Sequence, residues 1–181
     1  LKVQVIIVIA ITGLMGAVVQ AAEGPTKDVP QLKVLDYYAG EWKSEFSLSP
    51  AGDTTTAQHF KGKVVSKWIL NGKFLQQTGT YEAGDNQPPV MYTTLYTYDA
   101  KHQTYRYWTF DSSGGSSQSE GTWDQTTKVM TWQGQDEQTK LKSILESNHS
   151  KSDVNPWSIT IKTEQGQPVI EINGNNTRIK K

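Results

Sequence analysis

FKGKVVSKWILNGKFLQQTGTYE, residues 60–82, decides the fold. Asn71-Gly72 lies between two runs rich in β-branched and aromatic residues, the strongest short-range signal for a hairpin with a two-residue loop. Such a loop fixes the register, so Trp68 opposes Leu75, Ser66 opposes Gln77 and Gly62 opposes Tyr81. The other face then carries Lys67 opposite Gln76 and Lys61 opposite Glu82, as a solvent face should. The first face joins Val64, Trp68, Leu75 and Tyr81 to Ser66, Gln77 and Gly79. Apolar bulk with a few polar groups suits the lining of a small-molecule cavity, and it suits a filled core equally well.

Moving outward, the same period of two recurs. Trp42, Ser44, Phe46 and Leu48 alternate with Lys43, Glu45 and Ser47. Further strands are expected at 90–98, 104–111, 116–123, 128–134, 139–147, 157–163 and 169–180. Turn-formers separate them, including Asp99-Ala100-Lys101, Ser112-Ser113-Gly114-Gly115 and Asp124-Gln125-Thr126. Tyr98-Asp99 and Trp123-Asp124 each open a turn from which an aromatic strand returns. Only Gln31–Ala39 has a helical period, with Leu32, Leu35 and Tyr38 on one side and Gly40 as the stop. A two-sheet sandwich would need longer crossovers. The pattern predicts an all-β domain over 31–181, about ten antiparallel strands in an up-and-down barrel, with one short N-terminal helix at an end. Ten strands leave room for an interior cavity.

The 181 residues carry 18 Lys+Arg, 18 Asp+Glu and no Cys. Zero net charge removes the electrostatic footprint of a nucleic-acid binder. The absence of Cys removes disulfides, thiolate nucleophiles and Cys-ligated metals. Residues 1–21 hold a single charge, Lys2, followed by an apolar run and the small-residue site Val19-Gln20-Ala21. That order predicts a signal peptide, an exported protein in periplasm or medium, and no stable membrane insertion after cleavage. Residues 22–30, polar with two Pro, read as a disordered lead-in.

Gly40-Glu41-Trp42, at the start of the first strand and just after the helix, resembles the calycin superfamily of lipocalins and fatty-acid-binding proteins. In that group the Trp packs at the barrel base and a basic side chain from near the C-terminus lies across it. The resemblance therefore implies a structural base of Gly40, Trp42 and Arg178, one of only two Arg in the chain. The sequence also resembles a bacterial family, domain of unknown function 1579, a calycin-like barrel. The matching stretches are LDYYAGEWKSEF (35–46), VSKWILNGKFLQQTGTYE (65–82), YTYDAKHQTYRYWTFDSSGG (96–115) and SEGTWDQTTKVMTWQG (119–134). This resemblance implies a fold and carries no activity with it. Nitrobindin-type haem barrels resemble G-x-W-x-G-x-G in their first strand, where small residues make room for the porphyrin. Here Ser44 and Phe46 fill those positions, which argues against a haem cofactor.

The candidate chemistry is sparse. His59, His102 and His149 have no metal-ligand spacing, so no metal site is expected, and each reads as a surface imidazole. His149, in a polar loop, is the one to test for haem. Asp111 and Glu120 flank a Ser/Gly turn and could face each other as the acid–base pair of a hydrolase or isomerase. The remaining signal is aromatic. Trp68, Leu75, Gln77, Tyr81 and Trp132 are the candidate ligand-binding residues. For 104–111 both faces are aromatic, and alternation does not choose the inward one. The expectation is an exported, non-enzymatic barrel that holds a small, largely apolar molecule.

Overall fold

The computed structural model describes residues 29–82 and 88–180. The expected signal peptide (1–21) and most of the lead-in lie outside the described residues. A short helix α1 (Leu32–Leu35) runs into a 3-10 turn (Asp36–Tyr38) and is followed by ten strands. These are β1 (Gly40–Pro50), β2 (Gln58–Ile69), β3 (Phe74–Tyr81), β4 (Val90–Asp99), β5 (Thr104–Asp111), β6 (Ser116–Asp124), β7 (Val129–Gln135), β8 (Lys142–Asn148), β9 (Val154–Lys162) and β10 (Pro168–Arg178). Each strand pairs antiparallel with its chain neighbours, and β1 pairs with β10, which closes the barrel. All-β, ten strands and one short helix is the architecture the alternation pointed to.

The β2–β3 hairpin has the register read from Asn71-Gly72: Trp68 faces Leu75, Ser66 faces Gln77 and Gly62 faces Tyr81. Leu70 (φ 49°), Asn71 (φ 56°) and Gly72 (φ 73°) all take positive φ in a turn that spans the four residues between Ile69 and Phe74, longer than the two-residue loop expected, with the register unchanged. Five other turns are opened by an aspartate whose side chain accepts backbone N–H groups just ahead of it. Asp99 takes Lys101 (3.0 Å), Asp124 takes Thr126 (2.7 Å), and Asp53, Asp111 and Asp136 do the same. A carboxylate tied down in this way mimics a backbone turn; side-chain hydrogen bonds (from Thr55 to Asp53, His102 to Asp99 and Ser113 to Asp111) and these backbone ones hold all five below the usual carboxylate range.

Up-and-down winding gives the barrel two unlike ends. The β2–β3, β4–β5, β6–β7 and β8–β9 turns share one end with the helix. The β1–β2, β3–β4, β5–β6, β7–β8 and β9–β10 loops rim the other. At the helix end Leu32, Leu35 and Tyr38 join Leu75, Tyr105, Met130 and Trp132 in one packed cluster. Val29, two residues before the expected domain boundary, already packs against it. Leu35, Leu75 and Met130 are 0% exposed, so this end is solid.

Side-chain hydrogen bonds hold the plug in place. Trp68 Nε1 donates to Asp36 Oδ1 (2.7 Å), Tyr105 Oη to the Gln31 carbonyl (3.0 Å) and Trp42 Nε1 to the Tyr38 carbonyl (2.9 Å). The Arg178 guanidinium lies 3.9 Å above the Trp42 ring and donates to the carbonyls of Ala39 (2.6 Å), Tyr37 (2.9 Å) and Ser152 (3.1 Å). Gly40 sits under it with φ 112°, and a Cβ there would fall 2.8 Å from Arg178 Nη1.

Inward glycines make room for rings on the neighbouring strand. Gly79 lies beneath Tyr92, Gly121 beneath Trp132 and Gly174 beneath Trp157. A strand glycine used in this way marks a close approach. A Cβ at Gly121 would come within 2.5 Å of the Trp132 indole, in the solid end. Gly121→Ala should therefore cost about 1–3 kcal/mol through overpacking. Urea unfolding monitored by tryptophan fluorescence checks this, and an unchanged midpoint would contradict the packing described.

Candidate functional site

Strand alternation assigns the interior. Running up from the plug, the inward side chains pass through a polar belt and then an aromatic and aliphatic cup. The belt includes Ser44, Ser66, Gln77, Thr94 and Ser119. Gln77 donates there through Nε2 to Ser66 Oγ (3.2 Å) and accepts through Oε1 from Tyr96 Oη (3.1 Å), which leaves its second N–H free for a ligand. Thr94 and Thr109 share a short hydroxyl–hydroxyl hydrogen bond across β4–β5. Above them stand Phe46, Phe60, Tyr81 and Trp157, with Phe46 centred 4.9, 5.4 and 5.7 Å from the other three rings in turn. Ile159 and Ile172, paired across β9 and β10, continue the same wall toward the rim beside Trp157 and Phe46.

The cup is not filled. Tyr92 is enclosed by protein and still keeps part of its surface accessible, while Tyr96 and Tyr107, also only partly buried, pack against the closed-end cluster below it. The inward rings and isoleucines nearer the rim are likewise only half-buried. Enclosed but accessible side chains line a hollow. Burial raises the Tyr92 phenol to about 12 and holds Tyr96 well above its ordinary value, so the hollow presents neutral hydroxyls. At its lip Leu48, Pro50, Val169 and Ile170 border a concavity of about 340 Å³. A second concavity, about 570 Å³, lies over β10, β1 and β2, lined by Phe46, Phe60 and Gly174 as well as by outward residues such as Glu45, His59 and Asn175.

The residues singled out from sequence divide between the two halves. Leu75 and Trp132 (1% exposed) are locked in the solid end, and Trp68 is tied to the plug through Asp36. Gln77 sits in the belt at the floor of the hollow, and Tyr81 in its wall. Sequence reasoning did not reach Phe46, Phe60, Tyr92, Trp157, Ile159 and Ile172. Gly79 and Gly174, isolated in mid-strand, were the available signal for Tyr92 and Trp157. On β5 the inward face is Tyr105, Tyr107, Thr109 and Asp111, with Trp108 outside.

Two expectations are corrected. Asp111 and Glu120 do not face each other: the cross-strand partner of Glu120 is Arg106, on the outer wall, where Arg106 Nη2 lies 3.4 Å from Glu120 Oε1. Asp111 is on the inward face at the rim, so the pair that the acid–base reading needed does not form. His149 is not a surface imidazole. It stacks on Tyr37 (3.9 Å between centroids), meets Tyr38 edge-on (4.7 Å) and Trp123 at 5.0 Å, and its Nε2 is buried without a partner. This places His149 among the plug rings at the closed end, away from the hollow. His59 is exposed on β2, and His102 pairs with Asp99 in a turn (2.7 Å). Among the described residues no three His, Asp or Glu converge as metal ligands, and no helix is long and apolar enough to cross a membrane.

The sequence profile described as Protein of unknown function (DUF1579) matches residues 29–178, from the plug to the last residue of β10. The chain belongs to the DUF1579 family. Curated proteins give no significant match. In solved structures the DUF1579 barrel is similar to the S-type phycobiliprotein lyase CPES of Guillardia theta, with TM-score 0.62, 10% identity, and coverage of 82% of this chain and 92% of that one. It is also similar to Rv2717c of M. tuberculosis, with TM-score 0.59, 17% identity, and coverage of 83% and 98%. At these identities the likeness concerns the fold of this DUF1579 protein.

Removal from water pushes the buried imidazole of His149 down to about 3, from an ordinary value near 6.5. In the unfolded chain it binds a proton below about 6.5, and in the folded one only near 3. Its contribution is therefore intact above pH 6.5 and is lost as pH falls toward 3, on the order of a few kcal/mol. His149→Phe, which retains a ring to stack on Tyr37, should flatten the stability profile between pH 6.5 and 4, above the range where the turn aspartates titrate. Urea midpoints across that range test this, and parallel profiles for the two proteins would contradict it.

Proposed function

We propose that this protein binds a small, largely apolar molecule in the open half of its barrel, acts without catalysis, and works outside the cytoplasm after loss of residues 1–21. The observation that carries the reading is the contrast between the two halves. Leu35, Leu75 and Met130 at the closed end are wholly buried. Tyr81, Tyr92, Trp157, Ile159 and Ile172 point inward at the other end and remain accessible. Inward apolar surface left wet is costly, at roughly 25 cal/mol per Å². An apolar ligand would remove that surface from water, and the polar belt beneath, with Gln77 and the tyrosine hydroxyls, would orient it. The separation of Asp111 from Glu120 favours binding over acid–base chemistry. A phycobiliprotein lyase of unrelated sequence uses the same barrel form, so the form alone does not choose the occupant.

Native mass spectrometry of the protein recovered from its own periplasm or medium tests the reading. The expected species is a chain beginning at residue 22 that carries one small molecule. Nile red, a neutral apolar dye, should bind the purified protein saturably with a blue shift. Ile159→Trp, which fills the cup wall, should abolish that binding and leave the folded spectrum intact. A retained signal segment would remove the export reading, and no saturable dye binding would remove the chamber.

A further inference from the structure

Resting on the chamber reading above, we propose that its occupant carries a positive charge: an aromatic or apolar body bearing an ammonium group, with carboxylates turned away. Three independent features point to this charge.

The first is the lining. Among the described residues no Lys or Arg belongs to the inward face of the open half. The inward cation, Arg178, is at the closed end, held by Trp42 and three backbone carbonyls. A carboxylate entering the cup would shed its water and meet no counter-charge, a cost of several kcal/mol or more. An ammonium would meet ring faces instead. Phe46, Phe60, Tyr81 and Trp157 lie within 6 Å of one another where their centroid distances are resolved, and all four remain partly accessible. Aromatic groups of this kind attract cations through their negative faces.

The second is a pair of polar groups beside those rings. The Tyr92 ring lies over Gly79, and its hydroxyl makes no hydrogen bond with any described residue. Asp111 is its cross-strand neighbour on the inward face. One Asp111 oxygen, Oδ1, accepts from the Ser113 and Gly115 N–H groups (2.8 and 3.1 Å), while Oδ2 takes no hydrogen bond among the described residues. The turn hydrogen bonds keep this carboxylate ionised, and its charge helps to raise the Tyr81 phenol behind burial.

The third is the field of the whole barrel. The net charge is zero, but it is unevenly divided. Asp53, Glu82, Asp111, Asp136, Glu137 and Glu164 stand in or beside the described loops of the open rim, against Lys61 opposite Glu82, Lys140 in those loops, and Lys142 and Lys162 at the adjoining strand ends. At the opposite end Lys33, Lys73, Lys101, Lys128, Lys151, Arg178 and Lys180 modestly outnumber Asp36, Glu41, Asp99, Asp124 and Asp153. A mouth of one sign concentrates the opposite sign and slows its own.

A matched set of probes tests the charge separately from the chamber: (naphthalen-2-ylmethyl)trimethylammonium, naphthalene-2-methanol and 2-naphthoate, titrated by calorimetry into the full-length protein at low salt. The expected order is ammonium, alcohol, carboxylate, with about tenfold or more between first and last. Asp111→Asn, which can still cap the turn, should narrow that gap. If the variant does not fold, raising the salt should narrow it in the unaltered protein. Naphthoate binding as tightly as the ammonium overturns the charge assignment, while binding of the alcohol leaves the chamber standing. If none of the three binds, both readings fall.

Discussion

The seam between β1 and β10 is the constraint on which the rest depends. Nine cross-strand positions, from Trp42 opposite Arg178 to Pro50 opposite Ile170, join the first strand to the last. Without them a ten-stranded meander would keep two open edges. Arg178 does more than end that seam. Its planar guanidinium covers Trp42 and gathers carbonyls from the plug and from the β8–β9 loop, so the first and last strands and the closed end are tied together by one side chain. A lysine could supply the charge but not this fork of donors.

Closure by ten strands creates a space wider than inward side chains fill unaided. One half meets that problem by importing a helix and packing it against Leu75, Tyr105, Met130 and Trp132. The other half leaves it unmet. The polar belt separates the two, and its hydrogen bonds run largely across the barrel wall, as in Gln77 to Ser66 and Thr94 to Thr109. This division gives the molecule a rigid base and an open cup, the arrangement suited to pre-formed binding.

Much of the fold was legible because its signals are local. Asn71-Gly72 set the β2–β3 register, and the aspartates at 99 and 124 announced their turns. What was not legible depends on packing between distant segments. Alternation could not orient β5, since Tyr105, Tyr107 and Trp108 give both faces aromatic character; the inward face is set by partners on β4 and β6. His149 looked like a surface residue because Tyr37, which covers it, is over a hundred positions away in sequence. The neutral total charge was true as a sum and silent about its arrangement, since only the up-and-down winding brings acidic loops to one rim. Gln77 and Tyr81 followed from the hairpin register, but the rest of the cup came from strands whose register no local signal determined.

The central claim is that one half of this barrel is solid and the other hollow, and methyl NMR with a compact neutral nitroxide such as TEMPO tests it most directly. The account predicts strong broadening of the Ile159 and Ile172 methyls, with Leu35, Leu75 and Met130 untouched. Equal protection of both sets would contradict it.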